Sequence, residues 1–137
     1  MFFNIRNNTE ENLNKIKIAA LLIHAAKIDE NYSNKEEEII KNTLLDLGVS
    51  QTELGDLMIN AKKKEEEANQ ILDFTKEVKN MEEKDKIKIV ESLWKIIFSN
   101  KEADMFETNL MRRLSGLLYI DDKTMGKIKE KIKNENL

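Results

Sequence analysis

Residues 15–26 are apolar on almost every side of a helical wheel, and this stretch constrains the fold more than any other. A helix of this kind cannot lie at a surface, because water would contact apolar side chains on whichever face it exposed. A second stretch, residues 86–98, begins with Lys-Ile-Lys-Ile-Val where the first begins with Lys-Ile-Lys-Ile-Ala, 71 positions earlier. The sequence therefore predicts two central helices, each surrounded by neighbours.

The correspondence extends beyond the two central helices. At the same offset, the segment 47–50 (LGVS) matches the segment 118–121 (LYID). We predict an all-α fold of about seven helices in a single compact bundle, built from two pseudo-symmetric three-helix repeats and a linking helix. The expected boundaries are about 10–61 for repeat one, 67–81 for the linking helix and 84–132 for repeat two, within one domain of residues 1–137. The chain has no proline and four glycines, which favours long helices over a turn-rich β fold.

Helix ends are predicted from short local patterns. Three pairs have the spacing of a capping box: Ser33 with Glu36, Ser50 with Glu53 and Asp104 with Glu107. Gly48 is predicted to end the second helix, and Asp121 or Asp122 to cap the seventh. The run 62–67 (KKKEEE) fits either the end of the third helix or a bridge to the fourth, and both interpretations stay open.

The two central helices differ on one face. The second carries a polar stripe, whereas the matching positions of the first are mostly apolar. The stripe consists of Lys88, Glu91, Ser92, Lys95 and Ser99. The first helix therefore needs a cover, and we predict that the apolar residues of segment 2–5 fold back over Ala20 and Leu21, or that a second subunit covers them.

Composition excludes several classes of protein. Charged residues make up 36% of the chain, both signs are mixed and the net charge is −3, so we do not expect nucleic-acid binding. The absence of cysteine excludes disulfides, thiolate metal sites and a cysteine nucleophile. No apolar run approaches the ~20 residues of a membrane span, and the expected location is the cytoplasm. The sequence identifies no particular protein partner and leaves a homodimer open.

Oxygen-bearing side chains cluster in the two turns that follow the central helices. The candidate metal ligands are Asp29, Asn31 and Glu36 in the first turn, and Asn100, Glu102, Asp104 and Glu107 in the second. Calcium and magnesium take six or more oxygen ligands, several of them carboxylates, so a divalent cation of this hard type is predicted in preference to zinc. The spacing is not that of an EF-hand, since Asn34 stands where the glycine is required. The alternative is that these residues serve only as helix caps.

His24 and Trp94 are the other side chains of chemical interest. His24 is the only histidine and has no metal-ligand spacing around it, so a structural place at a helix edge is expected. Trp94 corresponds to Ile23 in the first repeat, which predicts a core position. No grouping of titratable residues predicts a catalytic site, and we expect no enzymatic activity.

The two turns stand as residues 28–36 (IDENYSNKE) and 99–107 (SNKEADMFE). In this form they resemble the tellurite-resistance TerB-like family, whose two repeats carry a pattern close to Ala-Asp-Gly-Glu, an apolar residue, Ser or Asp, Pro, any residue and Glu. Both copies here lack the turn glycine and the proline, and Asn31 and Asn100 each replace one acidic residue. The resemblance covers about residues 10–132. It implies an all-helical fold, no known catalytic activity, a metal site built from those acids, and a link to tellurite resistance and stress responses.

The resemblance and the residue pattern together predict a non-enzymatic, TerB-like helical module that binds a divalent cation at its acidic turns. Each turn keeps half of the family's key acidic pair, so a single composite site that uses Asp29 and Glu102 would survive best. The alternative is a protein-interaction or self-association domain in which the acidic residues are only helix caps.

Overall fold

Helices make up nearly all of the described chain. The computed structural model describes residues 2–28, 33–69, 71–99 and 105–135, with side chains from residue 13 onward and, in the sixth helix, from residue 109 onward. The helices are α1 Phe2–Lys27, α2 Asn34–Asp46, α3 Gln51–Glu67, α4 Leu72–Lys79, α5 Glu83–Ser99, α6 Met105–Leu117 and α7 Asp122–Glu135. No strand occurs among these residues. The predicted all-α bundle of seven helices is confirmed.

The apolar stretch of α1 lies at the centre of the bundle, as its pattern predicts. Residues 18–26 are buried apart from His24, because α2, α3, α4 and α5 all pack against this helix. Side chains that are apolar all round can exclude water only when neighbours surround them, and four neighbouring helices do so here. Helix α5 has a similar core of Ile89, Leu93 and Ile96, and it packs against α2 and α7.

The prediction that segment 2–5 or a second subunit buries Ala20 and Leu21 of α1 is wrong. Helix α1 begins at Phe2 and continues without a break to Lys27. On one continuous helix, residue 5 lies about 22 Å along the axis from residue 20, so the N-terminal segment cannot fold back over it. Ala20 and Leu21 are fully buried within the single chain by the neighbouring helices, and no second subunit is needed to cover them.

The polar stripe on α5 is only partly exposed. Lys88 and Lys95 are exposed as predicted, but Ser92 is buried against α2. Its hydroxyl oxygen lies 2.7 Å from Oγ1 of Thr43, which itself lies 2.9 Å from the carbonyl oxygen of Ile39. A hydroxyl has a single proton and a carbonyl can only accept, so Thr43 donates to Ile39 and Ser92 donates to Thr43. This hydroxyl pair joins the two halves of the bundle.

The run 62–67 belongs to α3, which settles the alternative that the sequence left open. Ala68 then adopts an extended conformation and ends the helix. Helix α4 is consequently shorter than the predicted 67–81. Ion pairs fix this end of α3, since Lys62 contacts Glu37 of α2 and Glu65 contacts Lys27 of α1.

The helix N-termini confirm some of the predicted caps. Ser33 and Glu36 form the capping box at α2. At α7 the cap is Asp121, whose Oδ1 accepts from the backbone N–H of Thr124 at 3.0 Å. The capping box predicted at α3 is wrong: Ser50 makes no side-chain cap, and its hydroxyl lies 3.1 Å from that of Thr52 instead.

Helices α2 and α6 end in the same way. After α2, the N–H of Gly48 donates to Leu45 and the N–H of Val49 donates to Leu44, which is a Schellman motif with Gly48 at φ 100°. After α6, Tyr119 and Ile120 donate to the equivalent carbonyl groups, and Tyr119 has φ 57°. The shared motif supports the predicted repeat at an offset of 71 positions.

Candidate functional site

The two acidic turns lie at the C-terminal ends of the two buried central helices. The first joins Lys27 of α1 to Asn34 of α2, and the second joins Ser99 of α5 to Met105 of α6. Most of the predicted metal ligands lie outside the described residues: Asp29, Asn31, Asn100, Glu102, Asp104 and the side chain of Glu107. Glu36 is the predicted ligand whose side chain is described.

Glu36 is a buried carboxylate, 4% exposed, in the first turn of α2. Its Oε1 accepts from the backbone N–H of Ser33 at 3.1 Å and from the Ser33 hydroxyl at 2.9 Å. In return, the N–H of Glu36 donates to Ser33 Oγ at 3.2 Å. These bonds satisfy backbone donors that the start of a helix otherwise leaves unpaired. Glu36 therefore has a structural role whether or not a cation binds beside it.

The described side chains do not by themselves form a metal centre. Within that part of the chain, no three His, Asp or Glu residues are grouped closely enough to hold a metal ion. The composite site from Asp29 and Glu102 therefore stays a prediction.

His24 lies in a cluster of polar side chains between α1 and α3. Its Nδ1 lies 3.4 Å from Glu65 Oε1, and Lys27 Nζ lies 2.9 Å from Glu65 Oε2. The hydrogen bond to Glu65 raises the pKa of Lys27 above its ordinary value. The cluster fixes the end of α1 from which the first acidic turn departs, which agrees with the structural role predicted for His24.

Trp94 lies in the core, as predicted from its correspondence with Ile23. The indole is 3% exposed, its N–H donates to the sulfur of Met125 at 3.4 Å, and its ring stacks on Phe98 with centroids 5.6 Å apart. Lys129 Nζ lies 5.3 Å from the centroid of the indole ring. A ring enclosed in this way offers no free face for a nucleic-acid base.

An open groove runs between α4 and the C-terminal end of α6. Its volume is about 370 Å³, and its walls include Leu72, Lys76 and Lys79 from α4 and Leu117 and Tyr119 from the end of α6. Leu72 and Tyr119 are 49% and 71% exposed, although both are large apolar side chains. Lys79 Nζ lies 4.5 Å from the centroid of the Tyr119 ring.

The sequence model of the family described as tellurite resistance protein TerB matches residues 15–130. The chain belongs to the TerB family. The match begins at the first residue of the apolar stretch in α1 and ends within α7, so it includes both central helices and both acidic turns. The resemblance inferred from those turns is thereby confirmed.

Other comparisons add nothing to the TerB assignment. Neither the curated proteins nor the solved structures gave a match. Among the described helices of this TerB-family chain, none is long and apolar enough to cross a membrane.

The sequence does not predict the α4–α6 groove of this TerB-family fold. It gives no role to Leu72, and Tyr119 stands out only as part of the repeated segment 118–121. A signal was present, since the offset of 71 places an aromatic residue where the first repeat has Gly48. The position of α4 relative to α6, which creates the groove, depends on tertiary packing.

Proposed function

We propose that this TerB-family chain is a non-enzymatic binding module that takes a divalent cation at the acidic turns joining α1 to α2 and α5 to α6. The observation that carries the proposal is the recurrence of oxygen donors, at an offset of 71 positions, directly after each of the two buried central helices. A binding loop attached to a rigid helix loses little additional order when it closes on an ion.

The donor chemistry favours calcium or magnesium. The predicted set contains carboxylates and amides, with no histidine or cysteine, and hard cations prefer such all-oxygen sites. Glu36 supports the proposal as a carboxylate fixed at the edge of the first turn by its bonds to Ser33.

Isothermal titration with calcium, magnesium, manganese and zinc chloride tests the proposal. We expect heat of binding for calcium or magnesium, and its loss in the variant Asp29→Asn with Glu102→Gln, which removes two charges without changing side-chain shape. A matched control is Glu53→Gln with Asp56→Asn, an exposed acidic pair on α3. Silence for all four metals, or equal binding by both variants, contradicts the proposal.

A second candidate function is a protein-interaction or self-association domain in which the acids act only as caps. The hydrogen bonds between Ser33 and Glu36 favour it, because they account for this carboxylate without a metal. In that case the Asp29 and Glu102 variant melts at a lower temperature than wild type, and added metal ions change neither melting curve. With a bound cation, the wild type alone gains stability as the metal concentration rises.

A contribution to tellurite resistance and to stress responses belongs to the same proposal, and the family's description as a tellurite resistance protein supports the first of the two. Growth on tellurite tests it. The strains compared are cells that lack the gene, the same cells with a wild-type copy, and the same cells with the Asp29 and Glu102 variant copy. Equal growth of all strains contradicts this part.

A further inference from the structure

The α4–α6 groove brings exposed apolar side chains together at one place. Leu72 and Tyr119 belong to a small set of large apolar side chains that are exposed in the described chain, and they line the same groove. Scattered single exposures need no explanation, whereas neighbouring ones in a concave surface mark a contact site. Leu117 and Gly116 extend the apolar wall beneath them.

The backbone of Tyr119 adopts a strained conformation that a glycine would adopt without cost. Its φ of 57° is in the left-handed region, which costs a non-glycine residue on the order of 1 kcal/mol. The equivalent residue in the first repeat is Gly48, which has no such cost. The Tyr119 ring stays mostly exposed and gains little burial in return. A tyrosine with an exposed ring, at a position where glycine would cost less, points to a use of that ring outside the chain.

The charges of α4 are sorted between its two sides. Asp73 and Glu77 face α1, where they contact Lys17 Nζ at 3.3 and 3.5 Å. Lys76 and Lys79 line the groove, and neither meets a carboxylate among the described residues. Two like charges one turn apart repel each other weakly, and a bound carboxylate would offset that repulsion. The groove is therefore complementary to a ligand that carries both carboxylate and apolar groups.

We propose that this groove binds an acidic, apolar peptide segment of a partner protein. A large apolar side chain of the peptide lies between Leu72 and Tyr119, and a neighbouring carboxylate contacts Lys76 and Lys79. The inference is independent of the acidic turns and of cation binding, since it rests on different residues.

The size of the groove favours a peptide over the other occupants. Seven of the described residues line it, whereas a stable interface between folded proteins uses about 20–30 residues on each side. Recognition of an anionic membrane takes clusters of about 4–8 basic residues, and the groove presents two lysines.

Selection from a phage-displayed library of random dodecapeptides on the immobilised full chain tests the proposal. We expect enriched peptides to combine Leu, Phe or Trp with Asp or Glu. Their affinity, measured by fluorescence anisotropy, should fall at least about tenfold in Tyr119→Gly and in Lys76→Glu with Lys79→Glu. Tyr119→Gly relieves backbone strain, so it keeps the test valid if another variant fails to fold.

Matched controls lie on other surfaces. Ile59→Ser removes an exposed apolar side chain from α3, and Lys127→Glu with Lys133→Glu makes the same change of net charge on α7. Both controls should bind the enriched peptides as the wild type does.

Four outcomes overturn the proposal. The first is the absence of enriched peptides, and the second is that enriched peptides bind the groove variants as tightly as wild type. The third is a dimer in sedimentation that Tyr119→Gly dissociates. The fourth is flotation of the protein with phosphatidylglycerol vesicles that is abolished in Lys76→Glu with Lys79→Glu. The third would assign the groove to a second copy of the chain, and the fourth to a lipid surface.

Discussion

Gly48 and Tyr119 occupy the same position in the same helix-ending motif, 71 positions apart, and both have a positive φ. Each follows a helix of 13 residues and donates its N–H to a carbonyl group of the last turn. Glycine adopts this conformation without steric cost, whereas tyrosine does not. The two residues therefore solve the same backbone problem at different energetic costs.

Replacing Gly48 should destabilise the protein through the backbone alone. A Cβ at this position would meet no atom within 4 Å, so Gly48→Ala changes only the cost of the left-handed conformation. We expect the free energy of unfolding in urea to fall by about 1 kcal/mol. Gly55→Ala is the control: its Cβ also meets nothing within 4 Å, but Gly55 lies inside α3, so stability should rise by about 0.5–1 kcal/mol. If the free energy of unfolding changed with the same sign in Gly48→Ala and in Gly55→Ala, this account would be contradicted.

The hydroxyl pair between Thr43 and Ser92 should show coupling. Thr43→Val leaves the buried Ser92 hydroxyl without its acceptor and should lower the free energy of unfolding by about 1–3 kcal/mol. Ser92→Ala should cost less, because Thr43 keeps its bond to Ile39. The double variant should be less destabilised than the sum of the two, since no unpaired hydroxyl remains. A double-mutant cycle in urea measures this, and strict additivity would mean that the pair is not coupled.

The ion pair between Lys27 and Glu65 should stabilise the folded protein, and this stabilisation should be lost at alkaline pH. The hydrogen bond to Glu65 raises the pKa of Lys27 above its ordinary 10.5, so the folded state holds this proton more tightly than the unfolded state. The contribution is complete below pH 10.5 and disappears as the pH rises through the raised pKa. Because the Lys27 side chain is 41% exposed, Lys27→Met should cost at most about 1 kcal/mol at neutral pH. Urea titrations of wild type and variant across this range check the prediction, and a stability difference between them that does not shrink at alkaline pH would contradict it.

The cap of α7 should respond to acid. Hydrogen bonds from the side chain and the backbone N–H of Thr124 hold the pKa of Asp121 below its ordinary 3.8. Its stabilising effect is therefore present above pH 3.8 and is lost as the pH falls through the lowered pKa. Asp121→Ala should lower the melting temperature at neutral pH, and the difference from wild type should shrink in acid. Asp122→Ala, which removes the neighbouring carboxylate but not the cap, should have the smaller effect at neutral pH.

Variants of the first capping box separate capping from cation binding. Ser33→Ala removes the side chain that pairs with Glu36 and should lower the free energy of unfolding by about 1 kcal/mol, while every carboxylate remains. Glu36→Gln keeps an acceptor for Ser33 but removes a negative charge. The affinity for the cation, measured by isothermal titration, should therefore fall more in Glu36→Gln than in Ser33→Ala. The reverse order would contradict a ligand role for Glu36.

The parts of the fold that were predictable from sequence depend on short-range patterns or on an extreme composition. Burial of α1 follows from a stretch that is apolar all round, and the cap at Ser33 follows from its spacing to Glu36. The same spacing failed at Ser50, whose hydroxyl lies beside that of Thr52 and makes no cap hydrogen bond to the helix. Ser92 belongs to a polar stripe, a pattern that normally faces water, but it is buried here because Thr43 on another helix pairs with its hydroxyl.

The candidate sites were less predictable for the same reason. The acidic turns are local in sequence and were found at once, but the ligands that would share an ion come from turns far apart in the chain. The α4–α6 groove needs α4 to lie beside the end of α6, and no local pattern around Leu72 or Tyr119 specifies that placement.

Helix α4 packs against α1, α5 and α6, and the predicted repeat gives it no counterpart. Helix α4 lies beside Tyr119 at the end of α6, so the matching helix ends of the two repeats have different surroundings. The side chain at one of two matched positions can therefore differ in chemistry from the side chain at the other. Asymmetry of this origin lets one half of a doubled chain carry an exposed aromatic side chain at a helix end where the other half carries glycine.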